Sequence, residues 1–287
     1  DALLNNDTGS NNTAVGLSSL QSNTTGIRNT ATGQSALSSN TTGDDNTATG
    51  EQALRENTTG GSNTAVGLFA LLVNTTGNEN TATGRAALAS NTTGNENTAT
   101  GQAALLSNTT GVDNTASGRD ALRNNTTGDN NTALGYSTGS SNTTGSNNTM
   151  LGHDAEASSA TVSNTVTLGN SAITTLRCQV TSITSLSDRR DKTNIQPIGA
   201  GLAFVEQLEP VKFDWNMRDG GKVDVPDMGF VAQDLLQVME DTGIDVPHLV
   251  SQDNPDKLEA AYGTLIPVLV QAIKELSAEV KTLKERN

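Results

Sequence analysis

The chain has 287 residues, of which 33% are hydrophobic but only 2% aromatic, and its formal net charge is -14 at neutral pH. That sign argues against a nucleic-acid binder, which needs clustered Lys and Arg to neutralise phosphates, and no apolar run is long enough to span a membrane. A single cysteine, Cys178, cannot close an intramolecular disulfide and reads as a small packed hydrophobe, with no His near it in sequence to activate it.

Residue types are sharply partitioned. All seven lysines, all six prolines and five of the seven aromatics lie after position 186, so two regimes join near Ser187. In the first, the motif Asn-Thr-(Ala/Met)-x-Gly begins at Asn12 and recurs every 17 residues to Asn148, while Asn-Thr-Thr-Gly recurs every 17 from Asn23 to Asn142. The unit reads NTTGxxNTAxGxxALxx. A fixed period this short is the signature of a solenoid or fibre in which each unit covers only its neighbours. Asp1 enters partway through a unit, which suggests the C-terminal piece of a longer chain.

Each unit supplies little apolar surface, chiefly the Ala of NTA and pairs such as Ala53-Leu54 and Ala87-Leu88. Stacked at roughly 4.8 Å, equivalent leucines form an internal column, and Asn and Thr form hydrogen-bonded ladders. The glycines mark places where the backbone needs positive φ or close approach. So thin a core leads us to expect three chains to share it. On these residues the stretch from about 6 to 169 resembles the head of trimeric adhesins and the shafts of phage tail fibres. That resemblance implies a parallel β-roll or β-solenoid around a threefold axis, serving as stiff spacer or adhesive surface.

Other readings of the same rows fare worse. A Thr-x-Thr face can bind ice, but NTTG and NTAxG place Thr beside glycine at turn-like sites, where backbone bonding is the plainer role. Asn-x-Thr is a glycosylation sequon only in a secretory eukaryote. The units lack a calcium-repeat pattern, and His153, Asp154 and Glu156 read as solvated groups, so no metal and no cofactor is expected. From Thr161 to Thr184, β-branched residues alternate with polar ones and predict a β neck.

The first dense charge cluster follows, SLSDRRDKTNI from Ser185 to Ile195. Ser187-Asp188-Arg189-Arg190 and Lys192-Thr193-Asn194-Ile195 are followed in order by LEPVKF (208–213), GFVAQD (229–234), Tyr262 and Leu265-Ile266-Pro267. These blocks resemble the self-cleaving intramolecular chaperone domain of phage tail spikes and endosialidases, the S74 peptidases. The resemblance implies a cut between Leu186 and Ser187, with Ser187 as nucleophile and Lys192 as base. A serine hydroxyl needs a neighbour to take its proton, and a lysine can do so only where burial favours its neutral form. Backbone N–H groups and Arg189 or Arg190 are candidates to receive the developing negative charge. Taken by itself, Ser187 could instead cap a helix or turn, with the charges on a solvated face. The sequence departs from the family at Asp191, where an apolar residue is usual; its carboxylate is placed to pair with Lys192 and slow the cut.

Downstream, LAFVEQLEPVKFDW predicts a short helix and then a strand at 211–215, DGGK a hairpin turn, and GFVAQDLLQVME a helix from about Ala232. Phe213, Trp215 and Phe230 are expected in the core of this α+β domain. Tyr262, Ile266, Leu269, Ile273, Leu276, Val280 and Leu283 alternate in spacings of four and three, a coiled-coil seam with Lys274, Glu275, Glu279, Lys281, Lys284 and Glu285 flanking it. The bland alternative is one amphipathic helix packed on its own domain.

The expected organisation is a β shaft over 1–160, a neck over 161–186, the chaperone and auto-peptidase domain over 187–257 and a coiled-coil helix over 258–287. The expected function is a homotrimeric fibre of a virion or cell surface. Its chaperone would set chain register and then sever itself, and a host receptor or glycan is a partner for the rest. The competing class is a structural or adhesive trimer with a permanent cap. A membrane-tethered regulator fits the family analogy, but the acidic repeat argues against it.

Overall fold

The structure, a computed structural model, describes residues 1–173, 175–177, 187–218 and 220–286. The chain divides into two compact units, Asp1–Asn170 and Ser171–Asn287.

The first unit is a parallel β-solenoid with one short strand per 17-residue coil. Its strands are β1 (Thr13–Val15), β2 (Thr30–Thr32), β3 (Thr47–Thr49), β4 (Thr64–Val66), β5 (Thr81–Thr83), β6 (Thr98–Thr100), β7 (Thr115–Ser117), β8 (Thr132–Leu134), β9 (Thr149–Leu151) and β10 (Val166–Leu168). They pair in sequence order as one ten-stranded sheet, each strand in register with the residues 17 before and after it. The central alanine of the strand points inward and the flanking threonines outward, as a period of two requires. Between strands the coil is closed by backbone bonds to adjacent coils, for example Leu88 N to Ala104 O at 3.0 Å and Gly101 N to Thr83 O at 2.8 Å.

The leucines lie in a fully buried column, Leu20, Leu37, Leu54, Leu71, Leu88, Leu105 and Leu122, beside columns of fully buried alanines. This differs from the expectation that three chains share the leucines: one chain encloses them. The reason lies in the asparagines. From Asn23 to Asn148 both Asn columns are fully buried and act as internal ladders that wall the coil off from solvent. In the first, Asn91 Nδ2 donates to Asn74 Oδ1 at 2.8 Å and to Gly94 O at 2.9 Å, and its Oδ1 accepts from Asn108 Nδ2 at 2.8 Å. In the second, Asn97 Oδ1 accepts from both the backbone N–H and the Nδ2 of Asn114, each at 3.1 Å. The first ladder ends at Asn142, whose Oδ1 is buried without a partner because Ser159 stands where the next Asn would be. Buried, and with each Nδ2 bonded, the asparagines of NTTG present no amide for a glycosyl group.

The threonines divide into two roles. Those of NTTG bond the backbone as expected, Thr92 Oγ1 donating to Thr109 O at 2.9 Å. Those of NTA lie in strands rather than turns, so the turn argument against an ice-binding face applies to only half of them.

Both glycine roles occur. Gly101 has φ +131°, and a Cβ there would lie 2.5 Å from Gly118 O. Gly111 has no positive φ; a Cβ there would lie 2.5 Å from both Asn108 Oδ1 and Gly128 O. The leucine column itself is left-handed, with φ near 50° at Leu54, Leu88 and Leu105, a strain of about 1 kcal/mol or more at each that the burial of the side chain offsets. We expect Gly101→Ala to cost about 2 kcal/mol or more, read as a lower urea midpoint of the shaft; an unchanged midpoint would contradict the close approach.

Of the three acidic and imidazole groups, exposed His153 and Asp154 meet, Nδ1 to Oδ2 at 3.0 Å, while Glu156 is engaged elsewhere. The His153 ring stacks on Tyr136 with centroids 5.2 Å apart, and the half-buried Glu156 accepts from the N–H and hydroxyl groups of Ser140 and Ser141 rather than being solvated. Within the expected neck, β10 is simply the tenth strand of the solenoid, and residues 171–173 and 175–177 are not strands. The rest of that stretch, including Cys178 and Leu186, lies outside the described residues.

In the second unit α1 (Leu202–Val205) leads to a hairpin of β11 (Val211–Asn216) and β12 (Val223–Gly229), then α2 (Ala232–Thr242), β13 (Val250–Ser251) paired with β14 (Glu259–Ala260), and α3 (Leu265–Arg286). Its core is Ala200, Phe204, Leu235, Val246, Leu249, Leu265 and Val268, with Phe230 half-buried against it. Phe213 and Trp215 are not in this core. A two-stranded ribbon has only one face to cover, and here they pack edge to face at 5.1 Å and line an open cleft of about 920 Å³ with Phe230 and Tyr262.

Helix α3 carries two apolar stripes. Leu265, Val268 and Ala272 are buried and form the inward face. Ile266, Leu269, Ile273, Leu276, Val280 and Leu283, the heptad positions, stay exposed at 42 to 65%. Packing on its own domain therefore uses a different face from the seam. Tyr262 precedes the helix in a 3-10 turn, its hydroxyl donating to Phe230 O and accepting from Phe230 N, both at 3.1 Å.

Glu275, expected as a flanking charge, is the next member of the inward stripe. Its carboxylate accepts from the Leu202 backbone N–H at 2.6 Å and from Gln271 Nε2 at 2.7 Å, and so ties α3 to the start of α1. The Leu202 N–H, then Gln271, hold this carboxyl below the ordinary glutamate range. A lowered folded value means its stabilisation is present above the unfolded glutamate pKa and is lost as pH falls through the lowered one. Glu275→Gln should thus lower the melting temperature of the second unit at neutral pH and blunt its loss on acidification. Identical acid titrations of variant and parent would refute the tie.

Candidate active site

The charge cluster folds as one tight turn. Asp188, with extended φ and ψ of -67° and 135°, caps a 3-10 turn over Arg189–Asp191, and Lys192 follows in extended conformation. Asp188 Oδ1 accepts from the Arg190 backbone N–H at 2.8 Å, the bond that Asp favours at a helix start because it satisfies an orphan donor. The N-cap is thus Asp188, one residue after the position the sequence suggested. The turn closes with Asp191 N to Asp188 O at 3.3 Å and Lys192 N to Arg189 O at 3.2 Å.

This turn brings together the two residues singled out in sequence. Lys192 Nζ donates to Ser187 Oγ at 2.5 Å. The anticipated pairing of Asp191 with the lysine is not formed: among the described residues Lys192 bonds Ser187 and makes no ion pair with Asp191. Leu186, the residue on the other side of the expected cut, is outside the described residues. Ser187 and Lys192 are both exposed on the chain's own surface.

The two arginines, interchangeable in sequence, are distinct in structure. Arg190 folds back on Asp188, with Nε 3.1 Å from both carboxylate oxygens and Nη2 2.6 Å from Oδ2. Its guanidinium, followed by its backbone N–H, holds the Asp188 carboxyl below the usual range, and the same bond raises Arg190. This clasp was missed in sequence, although an Asp two residues before an Arg at a turn start is a legible capping signal. A serine and an amine at hydrogen-bond distance are the minimum parts of a nucleophile and its base. Among the described residues no group of His, Cys, Asp and Glu is gathered for a metal, and no helix is long and apolar enough to cross a membrane.

Comparison with known proteins bears on this turn directly. Over 104 residues, 35% of this chain, it is 35% identical to the long tail fiber protein Gp37 of Enterobacteria phage K3 and equally so to that of Enterobacteria phage T2. The matched stretch spans only 8% and 7% of those two proteins. No solved structure matches the chain. Residues 187–244, which begin at Ser187 itself, match the Peptidase S74 family, described as chaperone of endosialidase. The turn with Ser187 and Lys192 therefore opens the stretch that is similar to the Peptidase S74 chaperone of endosialidase, and in sequence that stretch follows the β-solenoid.

Proposed function

We propose that the chain belongs to a homotrimeric phage tail fibre whose C-terminal domain gathers three chains, sets the register of the shaft and then cuts itself free between Leu186 and Ser187. The observation that carries this reading is the 2.5 Å contact of Lys192 Nζ with Ser187 Oγ at the first residue of the matched domain. In the chemical step neutral Lys192 takes the Ser187 hydroxyl proton, and Oγ attacks the Leu186 carbonyl carbon. The C–N bond to Ser187 breaks, its nitrogen receives the proton, and water hydrolyses the resulting ester to leave a Leu186 carboxylate and a free Ser187 amine and hydroxyl. Lys192 is exposed in the single chain, so the burial that frees its amine comes, in this proposal, from neighbouring chains. Assembly would then precede cleavage.

Trimerisation is supported by the exposed heptad stripe on α3, three heptads of seam facing away from their own domain. A register-setting device suits a 17-residue repeat in which a slip of one unit loses only end contacts. A virion-borne fibre is the reading the tail-fibre relatives support, and a host receptor or glycan is the partner proposed for it.

The same exposure of Ser187 and Lys192 favours a second reading, a trimer with a permanent cap. The mass of purified protein, with the N-terminal residue of each fragment, separates the two. Fragments beginning at Ser187 and a threefold native mass support self-release; an uncut trimer supports the cap, and an uncut monomer sinks both.

A further inference from the structure

We propose that Asp188 and Arg190 are the positioning pair of this site, a clasp that fixes the turn by which Lys192 reaches Ser187. The inference rests on the self-cleavage reading and adds residues that act through others rather than on the reacting atoms. Five residues of extended chain separate Ser187 from Lys192 by about 17 Å; the 3-10 turn reduces this to a hydrogen bond. That turn has a single side-chain cap, Asp188, and no buried residue to anchor it. Three residues therefore cannot rely on packing for their conformation, and short 3-10 segments have poor hydrogen-bond geometry of their own. The Asp188 carboxylate compensates by bonding the Arg190 backbone N–H and the Arg190 guanidinium at once, so that the side chain and main chain of one residue close on the same anchor.

The clasp also sorts the charges. Arg190 is committed to Asp188, which leaves Arg189, whose side chain the turn does not use, as the arginine available for a developing oxyanion. Without the Asp188 bond, Arg190 would be a second free cation beside Lys192.

The test uses the full chain and two readouts. In the first, the rate of release of the fragment starting at Ser187 is followed for Asp188→Ala, Asp188→Asn and Arg190→Ala, with native mass checked for each. Asp188→Ala, which removes both parts of the clasp, should slow cleavage roughly five- to tenfold, whereas Asp188→Asn, which keeps the cap but weakens the bond to the guanidinium, and Arg190→Ala, which keeps the cap but removes the guanidinium, should each slow it by no more than about threefold. In the second, Ser187→Cys in a Cys178→Ser background is alkylated with iodoacetamide across pH. A thiol beside the Lys192 ammonium ionises at lower pH than an isolated one, and adding Asp188→Ala should move the profile back toward the isolated thiol. Rates and profiles unchanged by Asp188→Ala would overturn the proposal, as would Asp188→Asn and Asp188→Ala slowing the cut equally. If the parent chain is never cut, self-cleavage falls, while the thiol profile still decides the clasp.

Discussion

Ser187→Ala and Lys192→Ala are each expected to leave the 287-residue chain uncut, with release of the C-terminal fragment slowed at least about a thousandfold. The first removes the oxygen that would attack; the second removes the amine that contacts it at 2.5 Å. Neither side chain is buried in the single chain or part of the second unit's core, so the variants should fold, and a native mass equal to the parent's shows that they also assemble. That independence gives the prediction its force, because loss of cutting cannot then be assigned to misfolding. Lys192→Arg is the sharper control: it keeps the charge and most of the reach but cannot give up its proton near neutrality, so it too should stay uncut. Mass spectrometry of fragments over time is the measurement, and a Lys192→Ala chain cut at the parental rate would eliminate the lysine as base.

Asn97→Asp is expected to destabilise the shaft by about 3–5 kcal/mol at neutral pH, although it changes one atom and leaves no cavity. The Asn97 side chain is fully buried; its Nδ2 donates to Gly111 O at 2.8 Å and to Asn80 Oδ1 at 3.2 Å. An aspartate there would turn a carboxylate oxygen toward two carbonyl oxygens with no counter-ion in reach of the ladder. Burial and those oxygens favour the protonated acid, so its folded pKa lies above the unfolded value. The sign follows: relative stability is greatest below the unfolded aspartate pKa and is lost as pH rises through the raised one. The urea midpoint of the variant should therefore approach the parent's on acidification. A neutral-pH midpoint equal to the parent's would mean that the ladder contributes nothing.

The exposed acids of the shaft act in the same direction more weakly. Glu96 sits in a column with Asp113 and Glu79, whose charges, Asp113 first, raise its pKa. Its contribution opposes the stack at neutral pH and fades on acidification, and salt screens it.

Much of this molecule was legible in its residues. The 17-residue period fixes one coil per repeat, and the recurrence of Asn, Ala and Leu at constant offsets can only mean equivalent side chains stacked above one another; the sheet register follows that period at every step. The hairpin, α2 and the heptad stripe of α3 were similarly predictable, because alternation, Pro and Gly punctuation and a four-three spacing are local patterns. Ser187 and Lys192 could be named together from the resemblance, five positions apart.

What sequence did not disclose concerns which groups face which. The asparagine ladders between residues 17 apart were expected, but not that they lie fully buried as an inner wall and so close the leucine column within one chain, because burial depends on the whole coil. The place of Glu275 was equally hidden: a carboxylate next to a heptad seam looks like a flanking charge until α1 supplies a backbone N–H 73 residues away. Asp191 and Asp188 are chemically alike, yet the turn assigns one to solvent and the other to the clasp. Sequence by itself determined the repeat, the element types and the likeness of residues 187–244 to the Peptidase S74 family, since those rest on periodicity and motif. Only the tertiary structure decided that one chain fills its own shaft, that the helix keeps its seam exposed and that the lysine meets the serine. Each of these depends on long-range burial and hydrogen bonding, whose energies exist only once distant residues have been brought together.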